Sequence, residues 1–220
     1  MLKVAVIITG DVRDCNAKYN IIRYFKDFDV FCGSYKKHEE YIKTIGRNNK
    51  SILIDPSKDI RLPKNISNEN IQQNMLQWLH LDNIINHFKS ELLTYDIILK
   101  FRFDCVIING NLNFSTIENN IVYNQSDQIF YSNSKTFIDT FNDFYDNIFQ
   151  TCCFLDFNDF SFEKSWKSEL VFANNLKNKN IINNKQMIFA VRIDRGNYNK
   201  VTADGNKPLY VNNTINGKFT

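Results

Sequence analysis

The sequence predicts an α/β fold, with a mostly parallel central sheet flanked by helices, on three observations. Leu2 to Thr9 is a continuous apolar run rich in β-branched residues that stops at Gly10-Asp11, as in a strand buried on both faces. Ile71, Met75, Trp78, Leu81, Ile85, Phe88 and Leu92 recur at spacings of three and four, the stripe of a helix packed on a sheet. That helix leads into a second buried run, "YDIILKFRFDC", Tyr95 to Cys105. Strand, helix, strand, helix, strand is how such a sheet is assembled.

After the first strand, Ala17 to Lys26 reads as a short helix. "DVFCG", Asp29 to Gly33, reads as a second strand, and "SILI", Ser51 to Ile54, as a third closed by Asp55-Pro56. Ser67 or Asn68 suits the N-cap of the long helix. Asp96 to Phe103 is the strand that follows it. "NIVYN" and "QIFYS" read as two more short strands. Phe137, Phe141, Phe144 with Tyr145, and Ile148 predict one helix starting near Ser134. Trp166 to Leu176 predicts another, capped by Ser165, and Lys185 to Ile193 holds a last strand before a polar, irregular end. No linker divides the chain, so residues 1–220 are expected to form one domain, either a whole protein or part of a longer one.

Composition narrows the function classes. A chain of 220 residues that is 43% apolar can bury a substantial core. Its net charge of +3 is spread out, with Lys36-Lys37 and Lys177/Lys179 the nearest approach to basic clusters, so nucleic acid is not an expected partner. Five cysteines, Cys15, Cys32, Cys105, Cys152 and Cys153, form no CxxC or Cys/His ligand spacing, which argues against a zinc site or a disulfide framework. They read as reduced, mostly buried thiols. No stretch has the pattern of a signal peptide or a membrane span, so a soluble intracellular protein is expected.

In open α/β sheets ligands bind beyond the carboxyl ends of the strands. Three polar clusters fall there: Thr9-Gly10-Asp11 with Arg13, Gly33-Ser34, and Arg102 with Asp104. Gly10 would let a ligand approach the backbone, and the fork of Arg13 suits a phosphate. A carboxylate such as Asp104 suits a hard divalent cation that shares its shell with phosphates. Each also has a plain structural reading: Gly10-Asp11 as a turn, and Arg102 and Asp104 as partners of other residues at the sheet rim. Asp27-Phe28-Asp29 precedes a strand, so it reads as a helix-to-strand turn on the opposite edge.

Several stretches resemble the GT-A-like nucleotide-sugar glycosyltransferases, especially a group in bacterial surface-polysaccharide clusters (WavE-like lipopolysaccharide synthesis proteins) and in large DNA viruses. "VAVIITGDVRD" is similar to that group's opening strand with Gly-x-x-Arg, and "DVFCGSY" to its second strand. "YDIILKFRFDC" resembles its Arg-x-Arg-x-Asp strand end, with Lys100 in place of the first Arg. "SDQIFYSNSKTFIDTFNDFYDNI" and "SWKSELVFANNL" look like its later segments, the second carrying Trp-x-x-Glu. The likeness spans Lys3 to Leu176. It implies a Rossmann-related, GT-A-like sheet, a nucleoside-diphosphate-sugar donor with UDP the expected nucleotide, a glycan acceptor, and Mn²⁺ or Mg²⁺ as cofactor.

On that resemblance Thr9, Gly10, Arg13 and Arg102 would contact the nucleotide and diphosphate. Asp104 would be the metal-binding carboxylate of an Asp-x-Asp motif, with Arg102 standing where the first Asp would be. Arginine does not ligate metals, so either Asp104 holds the cation alone or Arg102 takes over part of the phosphate neutralisation. His38, His80 and His87 all precede Asp104 and read as surface or core histidines rather than as a late metal ligand. For the proton of the acceptor hydroxyl the candidates are Glu169, in the first turn of its predicted helix, and Asp127, which also suits binding of sugar hydroxyls. The plain reading of Glu169 is an acid favoured near a helix N-terminus. Trp166 and Tyr131 suit sugar stacking or a core place, and Arg192 and Arg195 close a late strand within reach of a phosphate. Two rival readings are a nucleotidyltransferase on a similar sheet and a non-catalytic nucleotide- or sugar-binding domain.

Overall fold

The computed structural model describes residues 2–12, 17–55, 69–109, 114, 117–125, 127–148, 168–185, 189–193, 200–202 and 208–210. Its centre is strand β1 (Val4–Thr9), which runs parallel to β2 (Asp29–Tyr35) on one side and to β4 (Ile97–Arg102) on the other. The outer strands are β3 (Asn48–Ile54) beyond β2, and the hairpin β7 (Ile129–Asn133) and β6 (Ile121–Gln125) beyond β4. With β8 (Ile182–Lys185) they form a seven-stranded sheet of order β3-β2-β1-β4-β7-β6-β8. Every neighbouring pair is parallel except β4 with β7 and β7 with β6, so the fold is α/β with a mostly parallel sheet.

Helices cover both faces because both faces of the central strands are apolar. Along β1, Ala5 and Ile7 join one core cluster, and Val6 and Ile8 join the other. Helix α1 (Ala17–Phe25) seals the second with Ile21 and Phe25. The short α2 (Glu39–Ile42) adds Ile42. The long α3 (Glu69–Leu92) seals the first with Met75, Trp78, Leu81, Ile85 and Leu92, the stripe the sequence predicts. It lies close on the sheet at Gly33, where an added Cβ would come within 2.9 Å of the His80 carbonyl oxygen. Gly33 is therefore explained by packing.

The end of the chain differs from expectation. The helix expected from Ser134 to Ile148 is α4 (Ser134–Phe141), capped by Asn133, whose side chain accepts from the Thr136 amide at 2.8 Å. It stops because Asn142 is extended and Asp143 turns left-handed, with φ of 59°, before a short helical stretch at 144–148. Helix α5 (Ser168–Asn178) follows; its expected cap, Ser165, and Trp166 lie outside the described residues, as do Ser67 and Asn68. The stretch Lys185 to Ile193 holds the expected strand, β9 (Phe189–Ile193), while Lys185 itself closes β8. Strand β9 joins β5 (Cys105–Asn109), β10 (Lys200–Thr202) and β11 (Pro208–Tyr210) in a four-stranded sheet, which the sequence does not predict. Strand β5 follows β4 after the turn at Phe103 and Asp104, and α1 braces it. There Asn20 accepts from the Ile107 amide at 3.0 Å and donates to the Ile107 carbonyl at 3.1 Å. Cys32 and Cys105 are buried free thiols, and no helix among the described residues is long and apolar enough to cross a membrane.

Candidate functional site

The carboxyl ends of β2, β1 and β4 form one register line, Gly33–Thr9–Arg102. Thr9 is wholly buried, and its hydroxyl has no hydrogen-bond partner among the described residues. Gly10 follows with φ of 112°, a conformation that suits glycine. Its amide donates to the Gly33 carbonyl at 3.0 Å, and its carbonyl accepts from the Ser34 hydroxyl at 2.7 Å. Among the described residues nothing lies within 4 Å of where its Cβ would be, so the strand end is tied down by backbone contacts and, as far as they reach, open on its side-chain side. Asp11 is engaged by His38 at 2.8 Å and by Lys37 at 3.3 Å.

Beside this line lies a cluster of buried charge. Arg102 donates from Nε to Asp104 Oδ1 at 2.9 Å and from Nη2 to Oδ2 at 2.8 Å, a fork on both carboxylate oxygens. Its Nη1 is 3.6 Å from Asp127 Oδ2, which accepts from Gln77 Nε2 at 2.8 Å. Lys100, wholly buried, donates to the Asp127 carbonyl at 2.6 Å, and its ammonium lies 5.5 Å from the centre of the Trp78 ring and 5.2 Å from that of Phe130. The exposures of Asp104 and Asp127 are 3% and 1%; the Arg102 side chain, at 16%, is the part that reaches solvent. Burial works against the charge of Arg102, but Asp104 and then Asp127 outweigh it and hold its pKa above the usual arginine value.

Topology assembles the cluster. Asp104 sits in the turn where the chain leaves the seven-stranded sheet for β5, Asp127 in the turn between β6 and β7, and Gln77 on α3. Gln77 was not predicted as a site residue, since it falls beside Trp78 on a helix read for its apolar stripe. Lys100 did carry a signal: a lysine inside a strand buried on both faces must find internal acceptors.

Burial is the leading cause that lowers the Lys100 pKa from 10.5 to about 7, with Asp127 working the other way. Between those values the unfolded chain binds the proton and the folded chain does not, so stability rises with pH across that window. Lys100→Met should remove this rise. From pH 7 to about pH 9, wild type should gain up to about 2 kcal/mol relative to the variant, read from urea midpoints at each pH. Parallel profiles would show that Lys100 does not titrate there.

The other expected site residues separate. Arg13 and Arg195 lie outside the described residues. Glu169 lies in the first turn of α5, and Arg192 pairs in register with Cys105, next to Asp104. Tyr131 is a core residue, stacked on Tyr123 with ring centres 5.2 Å apart. His80 is buried in α3, and His87 packs on Phe88. Asp29, of the Asp27-Phe28-Asp29 stretch, holds Arg47 at 3.0 Å, Asn48 at 2.7 Å and the Tyr95 hydroxyl at 3.1 Å, a structural role.

Among the described residues the donor set does not fit a divalent cation. Such an ion needs several oxygen ligands, and Asp104 gives both of its oxygens to a guanidinium. The nearby Asp127 Oδ2 faces that same guanidinium. Among the described residues no three His, Cys, Asp or Glu side chains gather where they could hold a metal ion.

No family model matches the chain, and no curated protein matches its sequence. Among solved structures it is similar to a glycosyltransferase involved in the glycosylation of the major capsid of PBCV-1, with 9% identity over 84% of this chain and 81% of that one and a TM-score of 0.41. It is also similar to the apo-form glycosyltransferase GlyE of Streptococcus pneumoniae, with 12% identity over 82% of this chain and 44% of that one and a TM-score of 0.45. A third is the nucleoside-diphosphate-sugar pyrophosphorylase of Vibrio cholerae, with 8% identity over 86% of this chain and 94% of that one and a TM-score of 0.42. At these identities the likeness is one of overall architecture.

Proposed function

We propose that this chain is a glycosyltransferase that moves a sugar from a nucleoside-diphosphate sugar, with UDP the expected nucleotide, to a glycan acceptor. One observation carries the reading. The backbone at Gly10, open among the described residues, and Arg102, whose side chain reaches solvent, lie at the carboxyl ends of adjacent parallel strands, β1 and β4. The motif resemblance across "VAVIITGDVRD" and "YDIILKFRFDC" supports it.

In the proposed reaction the bond between the anomeric carbon and the diphosphate breaks, and its electron pair leaves with the diphosphate. The acceptor oxygen bonds to that carbon and gives its proton to a carboxylate. Thr9 and Gly10 would line the nucleotide, Arg13 would join them, and Arg102 would stabilise the departing charge. Of the two expected acceptor-side carboxylates, Glu169 is the one proposed to take the proton. Asp127, buried and held by Gln77, is better placed to orient Arg102 than to take a proton.

The test is nucleotide release from UDP-, GDP- and dTDP-sugars. Turnover is expected with at least one donor, falling by roughly 100-fold or more in Asp104→Ala as Arg102 loses its anchor. No release from any donor, together with no thermal shift on adding UDP, would overturn the reading. Release of pyrophosphate instead of a nucleoside diphosphate would make the chain a nucleotidyltransferase.

A further inference from the structure

We infer that the chain binds the diphosphate of its donor without a divalent cation: Asp104 is the positioning residue that fixes Arg102, and Arg102 carries the charge a metal would otherwise supply. This rests on the nucleotide-sugar reading above.

The hydrogen-bond count supports it. A guanidinium has five N–H donors in a rigid fork. Asp104 takes one from Nε and one from Nη2. Nη1 meets Asp127 Oδ2 at 3.6 Å, an ion pair beyond hydrogen-bond distance. Three N–H bonds, one on Nη2 and two on Nη1, therefore have no hydrogen-bond partner among the described residues. They belong to the member of the cluster whose side chain reaches solvent, at the strand end level with Thr9. Thr9 adds, on the same register line, a buried hydroxyl without a partner among the described residues.

The charge balance points the same way. Arg102 faces both Asp104 and Asp127, and Lys100 is bound to the Asp127 backbone carbonyl, so among the described residues the carboxylates already lie against a fixed cation. A divalent ion at Asp104 would have to displace the guanidinium and then sit against it, with Lys100 close behind. A diphosphate meets the opposite situation: a cation held by two bonds from Asp104, with three N–H bonds not taken up by a hydrogen bond among the described residues and a side chain that reaches solvent. Phosphate and carboxylate suit the same fork.

The experiment is calorimetric titration of the full chain with UDP, GDP and dTDP, in excess EDTA and again in Mn²⁺ or Mg²⁺. A dissociation constant that changes by less than about threefold between the buffers is expected. Tightening beyond about threefold by either cation would overturn the inference and leave the glycosyltransferase reading standing. No nucleotide binding in either buffer would remove both. Arg102→Lys keeps the charge and loses the fork, and should weaken binding roughly 10–100-fold in both buffers. Asp104→Asn should weaken binding by the same factor with and without the cation. Loss of a cation effect present in wild type would instead mark Asp104 as a metal ligand. A thermal melt of each variant checks folding, and the wild-type comparison stands without the variants.

Discussion

An Arg102→Met chain is expected to lose about 3–5 kcal/mol of stability at neutral pH, the usual cost of removing one side of a buried ion pair. Methionine keeps much of the length and apolar stem of the side chain, so the loss is mainly one of charge. Arg102 makes two short bonds to Asp104 and faces Asp127, and both carboxylates are almost wholly buried. Without it, Lys100 would be the basic group left in the cluster among the described residues, and its amine is already bound to the Asp127 carbonyl at 2.6 Å. The deficit should shrink toward about pH 4, because a proton then cancels the abandoned charge. The sign follows from linkage: the folded variant would bind protons more readily than its unfolded chain, so its stability falls as pH rises. Adding Asp104→Asn should recover part of the loss, since the amide carries no charge to abandon. A double-mutant cycle by urea unfolding measures this directly, and a coupling near zero would mean that the pair contributes nothing. Nucleotide affinity should be lost in the single and the double variant alike, which separates the binding role of Arg102 from its structural one.

The sequence shows the ends of this cluster more clearly than its partners. A run such as "VAVIIT" can be placed because both faces are apolar, and the parallel centre β2-β1-β4 follows from three such runs joined by helices. The strand at 105–109 is missed as a separate element because only Phe103 and Asp104 divide it from β4, too short a break to read as a change of sheet. The strand expected within Lys185 to Ile193 is present as β9, but β8 just before it is missed, and local pattern is silent on which sheet either joins. Arg102 and Asp104 stand out as charges closing an apolar strand. That they bind each other depends on a turn geometry that alternation does not encode. Asp127 and Gln77 come from distant elements, and nothing local joins them. The plain reading pairs Arg102 and Asp104 with other residues at the sheet rim; the geometry pairs them with each other, and the proposed role of Asp104 as an anchor for the arginine starts from that pair.

The other large effect is expected at Trp78, where Trp78→Ala should cost about 3–5 kcal/mol in urea or thermal unfolding. The indole is 2% exposed and joins α3 to the rest of the core. It stacks on Phe172 of α5 at 6.3 Å with planes 8° apart, meets Phe144 edge-on at 4.8 Å, and tilts against Phe130 of β7 at 6.3 Å. Alanine would open a cavity where three elements converge, and rings locked by one another can collapse into it only partly. The indole also forms one of the two aromatic faces near the Lys100 ammonium, so the same change strips packing from the charge cluster. Trp78→Phe should cost far less than the alanine change. It shrinks the ring but removes an indole N–H that is buried without a hydrogen-bond partner among the described residues, and eliminating an unsatisfied donor offsets part of the lost contact. Equal losses in the two variants would mean that this N–H is satisfied in solution, by water or by a rotated neighbour. A second readout is nucleotide affinity. Gln77, the preceding residue on α3, holds Asp127 at 2.8 Å, so a helix that settles into the Trp78 cavity carries that grip with it. Trp78→Ala should therefore weaken UDP binding even in the fraction that folds, whereas a truncation on the opposite face of the sheet, such as Phe25→Leu, should lower stability and leave affinity intact.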